Sequence, residues 1–167
     1  MAPSPKQQFL EDYDNEHATT MRVLRAYPPD KSELRPSPKS KTARELAWMF
    51  ALERGLGTKG WHDEFAKGVP SGTPPPPPEN WNDLLAAIEK AHKDFRDLLS
   101  SAPDEEWSQT IHFFTGPKQL GEYTRANFAW FLLFDQIHHR GQLSIYLRMA
   151  GGKLPSIYGP TADEQWF

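Results

Sequence analysis

Cysteine is absent from the 167 residues. That removes disulfides, thiolate metal ligands and a cysteine nucleophile from consideration. No apolar run approaches the ~20 residues that cross a bilayer, so no membrane partner is expected. The opening residues Met1 to Lys6 are followed by no apolar stretch; no secretion signal is read there, and a cytoplasmic location is expected. Charge of one sign is lacking too: 19 Lys and Arg stand against 22 Asp and Glu, a formal net charge of −3. A nucleic-acid binder usually carries a basic stripe, so no nucleic-acid partner is expected. Internal repeats and sustained heptads are also missing, which excludes solenoids and coiled coils.

Large aromatics are plentiful, with six Trp and ten Phe, each bringing ~150–250 Å² to bury. The length suits one domain, 1–167, with one core. Four segments read as helices. Ser4-Pro5 opens the first with a capping hydroxyl and a proline at the first helical position. Phe9, Tyr13, Thr20, Leu24 and Tyr27 then recur at helical spacing until Pro28-Pro29. Thr42 caps the second, with Glu45 completing a capping box. Leu46, Met49, Phe50, Glu53 and Leu56 share its face, and Gly55, Gly57 and Gly60 are expected to weaken and end it. Residues 61–79 form a long crossover with five consecutive prolines, Pro74 to Pro78, a stiff extended spacer. Asn80 caps the third helix, striped by Trp81, Leu84, Ile88, His92, Phe95 and Leu99. Ile111 to Phe114 read as a short extended piece before a turn at Gly116-Pro117. The fourth helix spans about 124–150, ends at Gly151-Gly152, and is apolar on nearly all sides. Such a helix is expected to be buried centrally or against a partner chain. The tail is expected to pack back on the bundle.

Polar residues stand where apolar ones belong. At ~100° per residue, Phe128, Leu132, Asp135, His139, Gln142 and Tyr146 fall on one stripe of the fourth helix. Asp135 and His139, four apart, point the same way. That spacing offers two ligands to a metal, and it also lets an Asp orient a His. Burying an Asp alone costs several kcal/mol, so partners are expected. Glu53, His17 and His92 lie on the apolar stripes of the other helices and are candidates to join them. Carboxylate with imidazole suits Zn, Ni, Fe or Mn. Against this stand a structural Asp–His pair and hydrogen-bonded core histidines at 17 and 92. His138 is read as facing outward, His62 and His112 are assigned nothing, and Arg140 and Arg148 are read as structural partners of tail acids.

The string His138-His139-Arg140-Gly141-Gln142, continuing to Arg148, resembles the signature of the DinB-like (damage-inducible protein) superfamily. The tail Gly152 to Pro160 is similar to it as well, as is Arg35 to Ser40 followed by Glu45-Leu46-Ala47-Trp48. The resemblance implies an all-α, up-down-down-up four-helix bundle, often a homodimer, with a divalent-metal site of three histidines. By position those places are Met49, Asp135 and His139, so only His139 is kept. A thioether is a poor ligand for zinc or nickel beside oxygen donors. Asp135 can ligate, and Glu53 is a candidate third ligand. Two functions follow as expectations. One is a metal-dependent, thiol-using transferase or hydrolase-like enzyme acting on a small molecule, with Glu53, Asp135 and His139 as its chemical groups. The other is a non-catalytic dimeric binding or stress-response protein with a degenerate, metal-free site.

Overall fold

Each long helix begins at a residue whose side chain takes up an otherwise unpaired backbone N–H. In the computed structural model, Ser4 and Thr42 form reciprocal capping boxes with Gln7 and Glu45, Asn80 accepts from Asn82 and Asp83, and Thr124 accepts from Asn127. The helices are α1 (Pro5–Ala26), α2 (Ala43–Trp61), α3 (Trp81–Ser101) and α4 (Arg125–Met149). The structure describes residues 3–167; Met1 and Ala2, where the leader reading begins, lie outside the described residues. No helix among the described residues is long and apolar enough to cross a membrane.

The all-α class needs correction. Residues 110–124 form an antiparallel hairpin, β1 (Thr110–Gly116) and β2 (Gln119–Thr124), with Thr110 opposite Thr124 and Phe114 opposite Leu120. The extended piece at 111–114 belongs to β1. Its partner strand was illegible because β2 contains Gly121 and buries no side chain fully. Ile111 and Phe113 point inward, where Phe113 packs on Phe65 and Phe128.

Helices α1 and α2 each pack on both α3 and α4. The core has two apolar halves. One, at the hairpin end, gathers Phe9, Tyr13, Trp61, Phe95, Trp107 and Phe128. The other gathers Met21, Leu24, Leu46, Phe50, Ile88 and Leu147. Each fully buried apolar side chain contributes about 1.5–3 kcal/mol. Between the halves, every helix presents polar groups: Asp14 to Thr20 on α1, Glu53 and Arg54 on α2, His92 on α3, and Asp135 to Arg140 on α4. A polar layer within a core is tolerated only where its groups find partners.

Gly55 and Gly57 do not end the helix, which stops at Trp61, one residue after Gly60. Gly57 and Gly60 admit neighbours. A Cβ at Gly60 would lie 2.3 Å from the Phe128 ring, and one at Gly57 2.8 Å from Leu132. Close packing outweighs the ~1 kcal/mol helix penalty of glycine. Gly60→Ala is therefore expected to destabilise by about 1–3 kcal/mol in urea unfolding through overpacking. Gly55→Ala, with nothing within 4 Å, should stabilise by about 0.5–1 kcal/mol. Equal responses at the two positions would contradict this reading.

The outer face of α4 is not buried within the chain: Phe134 is 60% exposed and Ile145 57%. The tail does pack back, with Leu154 and Ile157 against the second apolar half, while Trp166 and Phe167 stay exposed.

Candidate metal centre

Glu53 is the anomaly of the polar layer. It is 4% exposed, and among the described residues neither carboxylate oxygen accepts a hydrogen bond; in its protonated form it faces the Asp135 carboxylate as a donor. Burial, and then the neighbouring Asp135 carboxylate, push its carboxyl up to about 8; the adjacent Arg54 opposes this. From α4, Asp135 and His139 converge on it. His139 Nδ1 lies 3.4 Å from Glu53 Oε1 and 3.6 Å from Asp135 Oδ1. One candidate ligand atom from each of the three lies within 4.8 Å of the others. His139 Nδ1 is also 2.8 Å from the Asp135 backbone oxygen. Nδ1 is thus the ring nitrogen that faces both carboxylates; protonated it donates to that carbonyl, and deprotonated it offers its lone pair to the cluster. Phe50 meets the ring near edge-on, centroids 6.5 Å apart.

Two carboxylates and an imidazole fit a divalent cation. Three protein ligands with an open position is the composition of a catalytic rather than a structural zinc site. The orphaned Glu53 oxygens are the structural observation that matches such an ion. Met49, one turn earlier on α2, lines a cavity with Trp48.

His17 and His92 do not join this group. They stack face to face, 3.7 Å between centroids, across the α1–α3 contact. His92 Nε2 pairs with Asp14 at 3.0 Å. His17 Nδ1 meets Arg54 Nη2 at 3.2 Å. Burial is the main cause that lowers both imidazoles to about 3; beyond it, His92 acts next on His17, and Arg54 next on His92. They are neutral core histidines.

Arg54, missed by periodicity, organises this cluster. It is 1% exposed, yet its hydrogen-bond partners are all formally neutral. Nε donates to Tyr13 Oη at 3.0 Å, Nη1 to the Phe50 carbonyl at 2.8 Å and Nη2 to Gln136 Oε1 at 3.0 Å. The available signal was the adjacency of Arg54 to Glu53 on a helix packed on two sides.

The remaining candidates fall into place. His138 is exposed and bonds Gln142. His112 pairs with Asp63, a residue in the left-handed region. Arg148 pairs with Asp163 of the tail. Arg140 departs from expectation: its acid is Glu16 of α1, and the tail supplies the Tyr158 hydroxyl, which bonds both.

Four long helices and one short hairpin, with a carboxylate–imidazole cluster where α2 faces α4, define a mostly helical protein. The pattern of the DinB family matches residues 1–166, and the chain belongs to that family. It is 24% identical over 160 residues to an uncharacterized protein, YrdA, of Bacillus subtilis (strain 168), covering 95% of this chain and 90% of that one. A DinB-like protein from Bacillus cereus ATCC 10987 is similar in structure, with TM-score 0.74 and 22% identity over 90% of this chain and 95% of that chain. A colibactin self-resistance protein, ClbS, solved in complex with double-stranded DNA, is similar at TM-score 0.61 and 15% identity, over 89% of this chain and 98% of that chain. At these identities the structural likenesses show the fold.

Proposed function

We propose that the chain holds a divalent cation, zinc or nickel, on Glu53, Asp135 and His139, and acts as a small-molecule transferase or hydrolase-like enzyme that uses a thiol. The observation that carries this reading is the Glu53 carboxylate, buried and unpartnered beside a second acid and an imidazole. A cation there turns the repulsion of two close carboxylates into attraction. When bound, it supplies Lewis acidity that lowers the pKa of a coordinated thiol or water. The chain's own residues do the rest. The Asp135 carbonyl orients His139. Phe50 shields one side of the imidazole. Asp135, the more exposed acid, lies on the solvent side of the cluster. Glu53, one turn after Met49, takes the third ligand place.

A second reading is a non-catalytic, dimeric binding or stress-response protein with a relic site. It is favoured by Met49 and Asp135 standing where the family resemblance places histidines, and by the exposed apolar face of α4. An up-down-down-up helix order, a homodimer through α4 and a cytoplasmic location belong to both readings. The ClbS complex raises DNA as a partner, but the net charge of −3 favours a small molecule.

Metal analysis of tag-free protein separates the two readings. Near-stoichiometric zinc or nickel, lost in His139→Ala, is the expected result. Metal absent from the parent but present in Met49→His would select the relic. Metal unchanged by His139→Ala would remove the proposed centre.

A further inference from the structure

Two cavities flank the segment 39–41, and both are lined by Ser40 and Lys41. The first, about 300 Å³, has walls of Trp48, Met49, Leu52, Pro75 and Pro77. The second, about 400 Å³, contains His139, Gln142 and Tyr146. These volumes suit small ligands. The walls are anchored. The Trp48 indole N–H donates to the Pro75 carbonyl at 2.8 Å, tying the proline strap to α2. The Tyr146 hydroxyl donates to the Lys41 carbonyl at 3.0 Å, tying the dividing segment to α4.

The charge at this place is positive in excess: two lysines and one acid line the first cavity. Among the described residues, lysine ion pairs involve Lys6, Lys31, Lys90 and Lys93. Among the described residues, Lys39 and Lys41, which line the first cavity, have no carboxylate oxygen within 4.0 Å. The acid lining that cavity, Glu45, is turned to the helix cap: its carboxylate accepts the Thr42 N–H at 2.7 Å, and its single charge offsets only one of the two lysines. Apolar walls beneath unpaired ammonium groups call for a ligand with an apolar body and a negative end.

We propose that the two cavities form one cleft for an organic anion, its apolar body against Trp48, Met49 and Pro75 and its carboxylate at Lys39 and Lys41. The far end of such a ligand reaches past Lys41 to the cavity that contains His139. Anion binding rests on the lysines alone; the cleft's role as the substrate site rests on the metal reading above.

Titration calorimetry with 4-phenylbutyrate and its neutral amide tests this in metal-free and zinc-treated protein. The acid should bind at least tenfold more tightly than the amide in both preparations. That preference should vanish in Lys39→Gln/Lys41→Gln, whose exposed positions leave the fold intact by circular dichroism. Trp48→Ala should weaken acid and amide alike. Equal binding of acid and amide by the parent overturns the proposal, as does a preference that survives the double lysine variant. A preference lost on metal removal but kept without the lysines assigns the anion to the metal, ending this proposal and leaving the metal reading standing. A preference present in a protein that takes up no metal keeps the cleft and ends the metal reading.

Discussion

Arg54→Ala is expected to lower the unfolding free energy by about 4 kcal/mol or more. The variant strands Tyr13 Oη, Gln136 Oε1 and His17 Nδ1, all bonded to the guanidinium. Each buried polar group left unpaired costs about 1–3 kcal/mol, and the vacated volume adds a cavity term. One effect opposes this: Arg54 is itself a buried cation with no acid bonded to it, so deletion removes its desolvation penalty. The losses win because they are several and the penalty is single. Arg54→Met separates the two, since it fills volume and removes the charge; its loss should be smaller, about 1–2 kcal/mol. Arg54→Lys should not rescue, because a point ammonium cannot serve three divergent acceptors. Urea unfolding measures these differences. An NMR titration supplies a readout that packing loss alone would not move. Arg54 contributes to lowering both His17 and His92, so both imidazoles should titrate closer to 6.5 in Arg54→Met. An alanine variant as stable as the parent would show that the polar layer is not organised by this residue.

The same residue marks how far the sequence could be read. Helix starts were legible because Ser4, Thr42, Asn80 and Thr124 act locally, within three residues of themselves. Asp135 and His139 were legible as a pair because four residues along one helix fix relative direction. Glu53 was legible as a polar residue on an apolar stripe, though not its lack of hydrogen-bond partners. The destinations of His17 and His92 were illegible. Both stripes were right, but the register of α1 against α3 makes the rings meet each other instead of Asp135. Arg54 was invisible because one stripe per helix was assumed, whereas α2 buries residues toward both α3 and α4. The glycines of α2 misled for a related reason. Propensity ranks glycine as a helix weakener, and only the neighbouring Phe128 and Leu132 rings and methyls show what its missing Cβ permits. Arg140 was correctly read as structural, yet its acid came from Glu16, a partner 124 residues away that no local pattern specifies.

Metal-free protein should be most stable near pH 6.5 and lose stability on both sides. On the alkaline side the group responsible is Glu53. Its carboxyl rises from an ordinary 4.5 to about 8 in the fold, so between those values the folded chain keeps a proton that the unfolded chain has released. Raising pH through that window favours unfolding, with a full loss on the order of 4 kcal/mol. On the acid side the groups are His17 and His92, lowered from 6.5 to about 3. Below 6.5 the unfolded chain takes up protons that the folded chain refuses, so their contribution is complete above 6.5 and fades as pH falls toward 3. Where the windows overlap, from 4.5 to 6.5, two imidazoles outweigh one carboxyl and the net slope still rises. Glu53→Gln should flatten the alkaline limb, steepen the acid limb between 4.5 and 6.5, where Glu53 no longer opposes the imidazoles, and abolish metal uptake. Saturating zinc should also remove the alkaline limb, because a cation binds the ionised carboxylate and only the folded chain assembles the site. Denaturant midpoints taken from pH 4 to 9, with and without zinc, measure all of this. A profile flat above pH 6.5, or an alkaline limb that persists in Glu53→Gln, would mean that Glu53 is not held as a buried acid, and the reason for a cation at that point would go with it.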